Sequence, residues 1–234
     1  PHLKNKEGAS GLHKLASNKY ARQFAQHKMD LLRRSGDGKM PDPSMESVVF
    51  GKFRKVELFL LQELLNHEKT DPNLQDTWRN TPLLIAAREG MLGIVQCLLA
   101  NEKTDPNLQN LSGETPLYKA VFNGRLEIVR SLLDHEKTDP NLQNLSGSTP
   151  LHSAADHGYL QIVQCLLANE KTNPNLQNKW GSTPLHKAVF NGHLSIVNCL
   201  LGHQKTDPNL QDISGFTPLH YAAKNGYLQI VRSL

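Results

Sequence analysis

The side chains in this chain that could act as nucleophile, base or metal ligand are its three cysteines and eleven histidines. Four of the histidines, His13, His152, His186 and His220, follow a leucine in related phrases (GLHKLA, PLHSAA, PLHKAV, PLHYAA) and invite a catalytic or metal reading. Cys97, Cys165 and Cys199 likewise share one setting, each just before a Leu-Leu pair. Cys165 with His157 or His186 is the pairing that could be imagined as a nucleophile and its base, which would require the two to meet within hydrogen-bond reach. Nothing else in the chain supports such chemistry: it has no HExxH, no CxxC, no nucleophile elbow, no phosphate loop and no paired carboxylates.

The elements that must position these residues are set by a repeat. The proline of a TPL phrase falls at Pro82, Pro116, Pro150, Pro184 and Pro218, a constant step of 34, and an Asp-Pro-Asn or Asn-Pro-Asn triplet keeps that step from Asp71 to Asp207. Self-similarity at such a period signals a stack of supersecondary units, each burying its apolar face only against its neighbours. Within the unit from Asn178 to Gln211, the hydroxyl of Thr183 can cap a helix whose first position is Pro184. Leu185, Ala188 and Val189 supply a slim apolar face, and Gly192 ends this first helix in a conformation with positive φ. Leu194, Ile196, Val197, Leu200 and Leu201 form the stripe of a second helix that must be buried against the units on either side. Lys205 to Gln211 then leads into a hairpin-like finger, with Gly181 and its counterparts Gly113, Gly147 and Gly215 at the tight tip.

The unit NKWGSTPLHKAVFNGHLSIVNCLLGHQKTDPNLQ resembles the ankyrin repeat, through its G-x-TPLHxA phrase, second glycine, Ile-Val pair and Leu-Leu pair. The resemblance implies an all-α fold, an ankyrin-repeat solenoid of stacked helix-turn-helix units with hairpin-like fingers. It also implies a structural role for His13, His152, His186 and His220, in hydrogen bonding near the helix start and the adjoining turn. On that reading Cys165, on the packing helix, lies away from the first-helix histidines, and no enzyme activity is expected. After the Leu-Leu pair, Glu102-Lys103, Glu136-Lys137, Glu170-Lys171 and Gln204-Lys205 intervene where most ankyrin repeats are shorter. They suggest a slightly longer second helix or turn with little functional meaning.

Residues 67–234 hold five regular 34-residue repeats, and residues 1–66 align weakly with the same template as two divergent units around a loop at 35–47. The array stops within a unit at Leu234, which suggests truncation at the C-terminal end. Residues 1–66 carry 12 Lys or Arg against 7 Asp or Glu, and residues 67–234 carry 14 against 15. The regular repeats are therefore nearly neutral and lack the dense basic stripe of a nucleic-acid binder. No apolar run approaches the roughly 20 residues of a membrane span. The in-register cysteines favour thiols over disulfides, hence an intracellular, cytoplasmic setting.

In ankyrin arrays partners usually bind the fingertips and the exposed side of the first helices. Mapped onto this chain, that face carries Trp78, Arg88, Phe122, Asp156, Trp180, Phe190, Phe216, Tyr221 and Lys224. Aromatic residues are only 6% of the chain, yet both tryptophans fall there, and interface hot spots are enriched in such residues. Phe122 and Phe190 are two units apart, roughly 20 Å for stacked helices, too wide for one small-molecule pocket and suited to an extended peptide or a protein surface. The expectation is a protein-binding module without cofactor, metal, nucleic-acid or membrane partner. The alternative is the targeting portion of a larger enzyme, since near-identical tandem copies resemble those in effector proteins of intracellular bacteria, which would place it in a host cytoplasm.

Overall fold

The computed structural model describes Leu65 and residues 70–234, and the chain divides into two compact units, Pro1–Thr104 and Asp105–Leu234. The expected divergent units and loop within residues 1–66 lie, Leu65 aside, outside the described residues. In the N-terminal unit one hairpin is described, α1 (Pro82–Glu89) and α2 (Leu92–Leu99). The C-terminal unit contains four: α3 (Pro116–Phe122) with α4 (Leu126–Leu133), α5 (Pro150–His157) with α6 (Leu160–Ala168), α7 (Pro184–Phe190) with α8 (Leu194–Leu201), and α9 (Pro218–Lys224) with α10 (Leu228–Ser233). Every regular element among the described residues is a helix.

The first helices begin as the TPL phrase requires. Thr81, Thr115, Thr149, Thr183 and Thr217 sit in extended backbone immediately before the helical proline. The Thr81 and Thr115 hydroxyls accept the amides of Leu84 and Tyr118, both at 3.1 Å. Gly192 follows α7 with a φ of 71°, and Gly158 closes α5 with a φ of 78°. Helices of six to nine residues are too short to persist alone, so their stability comes from packing.

That packing forms two layers in the C-terminal unit. The first helices α3, α5, α7 and α9 contact one another in sequence, and so do the second helices α4, α6, α8 and α10. Ala120, Ala154, Ala155 and Ala188 are completely buried, and their small side chains permit this close approach. In the second layer Ile128, Val129 and Leu132 recur as Ile162, Val163 and Leu166 and as Ile196, Val197 and Leu200, all buried. Each such side chain contributes about 1.5–3 kcal/mol on leaving water. Leu194 and Leu201, at the margins of the α8 stripe, are half-buried.

The fingers are held by polar groups in place of a core. Leu145, Lys179 and Ile213 donate their amides to the carbonyls of Ser112, Ser146 and Trp180 on the preceding finger at 3.0–3.1 Å. A Cβ on Gly113, Gly147 or Gly181 would meet the next finger's backbone at 2.7–2.8 Å, and each has a φ near +70°, so glycine is required there twice over. The Gln143 side-chain amide donates to the Gly147 carbonyl of its own finger (2.7 Å) and to the Gln177 carbonyl of the next (3.0 Å). Gln177 bridges Gly181 and Gln211 in the same way.

The residues after the Leu-Leu pair form a turn that joins repeats. Thr104 and Thr172 donate their hydroxyls to the carbonyls of Leu98 and Leu166 at 2.6 Å, tying the turn to the helix it leaves. Asn107, Asn141 and Asn175 donate to the carbonyls of Lys137, Lys171 and Lys205 at 2.6–2.7 Å and accept the amides of Asp139, Asn173 and Asp207 at 2.8–2.9 Å. The intervening Glu-Lys and Gln-Lys residues therefore supply the acceptor of an asparagine ladder.

Candidate functional site

Three of the four histidines that invited a catalytic reading, His152, His186 and His220, close helix N-termini, and His13 lies outside the described residues. Nδ1 of His152 accepts the Thr149 amide at 3.2 Å and lies 2.8 Å from the Thr149 hydroxyl, while its Nε2 is 2.9 Å from the Ser182 carbonyl. A backbone amide must donate and a carbonyl must accept, so the ring is neutral with its proton on Nε2. His186 repeats the arrangement with Thr183 and the Phe216 carbonyl, at 3.1, 2.8 and 3.0 Å. In His220 the Nδ1 bond to Thr217 persists and the ring is exposed. Burial drives the His152 pKa down to about 4 and lowers that of His186. Both nitrogens of His152 and His186 are engaged by the fold and neither ring is poised to move a proton.

The cysteines do not complement them. Cys165 and Cys199 are half-buried on the second helices, and burial pushes both thiols up, away from the thiolate a nucleophile needs. His157 is occupied elsewhere: its Nδ1 bonds the Ser153 carbonyl at 2.8 Å and its ring stacks on Tyr159 with centroids 5.5 Å apart. Among the described residues no cluster of His, Cys, Asp and Glu could hold a metal ion.

The exposed surface is different in character. The last turn of each first helix in the C-terminal unit presents Phe122, Asp156, Phe190 and Lys224 in register, and the fingers above present Leu111, Leu145, Trp180 and Ile213. Phe122 is 43% exposed, Phe190 55%, Trp180 53%, Leu145 63% and Ile213 74%. The cost of keeping such side chains in water makes this the surface of the unit most suited to cover by another molecule. Each phenylalanine meets a ring of the following repeat in a T-shaped contact, Phe122 with His157 at 5.0 Å and Phe190 with Tyr221 at 5.8 Å. These contacts, with Lys119 Nζ 5.2 Å from the centre of the Phe122 ring, hold the rings in place while about half of each side chain stays exposed.

The remaining expected residues differ in exposure and in what holds them. Tyr221 is half-buried, donating its hydroxyl to Asp212 Oδ2 at 2.6 Å and packing against Phe190 and Phe216. Asp156 is held by Lys187 (3.4 Å) and the Asn191 amide (3.2 Å). Lys119 and Glu114 form a tighter pair at 3.1 Å, largely shielded from solvent. Lys224 Nζ stands 5.8 Å from the centre of the Phe216 ring. In the N-terminal unit Trp78 is 63% exposed and Arg88 pairs with Glu89 at 3.0 Å. Leu111, Leu145 and Ile213 are not among the residues expected to bind; an aliphatic side chain at a fingertip position, where no core can take it, is the signal that marks them.

Comparison with known proteins agrees with this architecture. The profile described as Ankyrin repeats (3 copies) matches residues 45–144, 83–178 and 151–234. Among solved structures, the crystal structure of EF0377, an ankyrin repeat protein, superposes with a TM-score of 0.70 at 31% identity over 77% of this chain and 92% of that one. No curated protein sequence matches. The chain belongs to the ankyrin-repeat family. Ankyrin repeats generally serve as protein-interaction modules and are typically non-enzymatic. Among the described residues, no helix is long and apolar enough to cross a membrane.

Proposed function

We propose that this chain binds a partner protein on the first-helix and fingertip face of residues 105–234, with Phe122, Trp180 and Phe190 as apolar anchors and Asp156, Phe216, Tyr221 and Lys224 around them. Trp78 and Arg88 offer the corresponding positions of the N-terminal unit. The observation that carries this reading is the exposure of large apolar side chains at fixed places in the repeat, Phe122 and Phe190 in one register on short helices fixed by caps and neighbours and Trp180 on the finger between them. Pre-ordered anchors of this kind lose little entropy on binding, and truncating one typically costs more than about 1 kcal/mol of affinity.

The test is affinity capture of cell proteins by the full chain beside a Phe122→Ala, Phe190→Ala double variant, with helix content followed by circular dichroism. A protein retained by the first and lost by the second, at equal helicity, supports the face. Equal retention refutes it.

A further inference from the structure

Charge on the last three repeats is distributed unevenly around the aromatic residues. Asp156 is taken by Lys187 and Asn191. Asp212 is enclosed: its carboxylate accepts the amides of Ser214 (2.8 Å) and Phe216 (3.0 Å) and the Tyr221 hydroxyl (2.6 Å). Lys179 and Lys224 are both exposed, and neither is in an ion pair with a described carboxylate. Lys179 immediately precedes Trp180, and Lys224 lies over Phe216, whose ring contacts Tyr221 at 5.5 Å, which in turn contacts Phe190 at 5.8 Å. The finger carrying Trp180 is laced to the finger carrying Ile213 through the 3.1 Å bond from the Ile213 amide to the Trp180 carbonyl.

The result is an aromatic patch whose carboxylates are already satisfied and whose two outward charges are positive. We infer that the segment docking on it is acidic: a peptide stretch with Asp or Glu beside an aromatic or aliphatic side chain, its carboxylates against Lys179 and Lys224 and its apolar group against Trp180 and Phe190. This rests on the proposed face and adds the chemistry of its occupant. A phosphate backbone is a poorer match. It needs a run of cations, and this surface interleaves its lysines with Asp156 and the enclosed Asp212. Charges placed at an apolar rim select the partner and speed its approach, while the rings hold it.

An unbiased displayed library of dodecapeptides panned on the full chain tests this, followed by anisotropy titration of a fluorescein-labelled synthetic copy of an enriched peptide. The expected library product is enriched in Asp and Glu next to an apolar residue. Lys179→Glu with Lys224→Glu is expected to weaken its binding by about tenfold or more, and replacing the peptide's acids with Lys to recover binding to that variant. Trp180→Ala with Phe190→Ala is expected to weaken it at least as much. Enriched peptides without acidic residues, or an affinity unchanged by charge reversal but lost with the aromatics, would overturn the acidic partner and leave the face standing. Binding indifferent to both variants, or no enrichment, would overturn both.

Discussion

The neutral, doubly bonded His152 makes stability depend on pH in a direction that can be worked out from its surroundings. The ring is buried, with Nδ1 committed to accepting from Thr149 and Nε2–H to the Ser182 carbonyl. Burial, aided by the nearby Lys187 and His186 and opposed by the Ser182 bond and Asp156, puts its pKa at about 4, against 6.5 for an unhindered histidine. Above pH 6.5 the ring is neutral in folded and unfolded chain alike, and protonation contributes nothing. Between pH 6.5 and about 4 the unfolded chain takes up a proton that the folded chain refuses, so folding weakens as pH falls. The interval, at 1.36 kcal/mol per pH unit, amounts to about 3 kcal/mol, fully lost below pH 4.

Leu84 occupies the equivalent place in the first described repeat, so His152→Leu is a replacement the template accommodates. At pH 7 it should cost about 1–3 kcal/mol, because the Thr149 amide and hydroxyl lose their partner. On going from pH 7 to pH 4 the variant should lose about 3 kcal/mol less than the parent, in urea titrations followed by circular dichroism. Nitrogen shifts should show the His152 proton on Nε2 at pH 5.5, where an ordinary histidine is charged. Parallel stability curves for parent and variant, or a His152 that titrates near 6.5, would refute the reasoning.

Other perturbations separate the remaining forces. Gly147→Ala should cost about 3 kcal/mol, from left-handed strain plus a Cβ 2.8 Å from the Lys179 amide, whereas Gly215→Ala, with the same φ but open space around it, should cost only about 1 kcal/mol; equal losses of urea stability would mean that the finger contact contributes nothing. Asn141→Ala, which removes bonds to the Lys171 carbonyl and the Asn173 amide, should destabilise by about 1–2 kcal/mol and speed exchange of the Asn173 amide, while Asn141→Asp should keep that amide protected. Cys165 and Cys199, raised by burial, should react with iodoacetamide at pH 7.5 more slowly in the folded chain than in urea; a faster folded reaction would revive the nucleophile reading.

The helices could be read from the sequence because each of their signals is local. Thr183 before Pro184 starts a helix, Gly192 permits its end, and Ile196, Val197 and Leu200 mark the side that faces neighbours; the structure places all of them so. The ladders of Asn107, Asn141 and Asn175 and of Gln143 and Gln177 were equally periodic but illegible as bonds. Their partners lie 30 to 34 residues away, and only the stacking distance brings an amide to a carbonyl. The Lys of each inserted pair acts through its carbonyl, which its side-chain type does not announce. Exposure is harder still to read: the sequence assigns Phe190 and Tyr221 to one face, yet the first is half in solvent and the second is turned inward to Asp212.

This difference follows from what a repeat does. Positions that hold the stack must satisfy the same geometry in every copy, so they recur: threonine, proline and leucine at each first helix, glycine at the fingertips from 113 onward. Positions that face outward have no such obligation. In the register of Arg88, Phe122, Asp156, Phe190 and Lys224 no charge or shape is common to all five, and the fingertip register passes from Trp78 through two serines to Trp180 and back to serine. Arginine, phenylalanine, aspartate and lysine all occupy the first of these registers, so the stack does not dictate which side chain stands there, and the part of a large ring left in water is area that the fold does not use. Phe190 is the clearest instance: Phe190→Ala gives up the Tyr221 ring contact but leaves the Thr183 cap and the buried Leu185, Ala188 and Val189 of α7 in place, so on the proposed reading it should lower affinity for a partner far more than it lowers helix content.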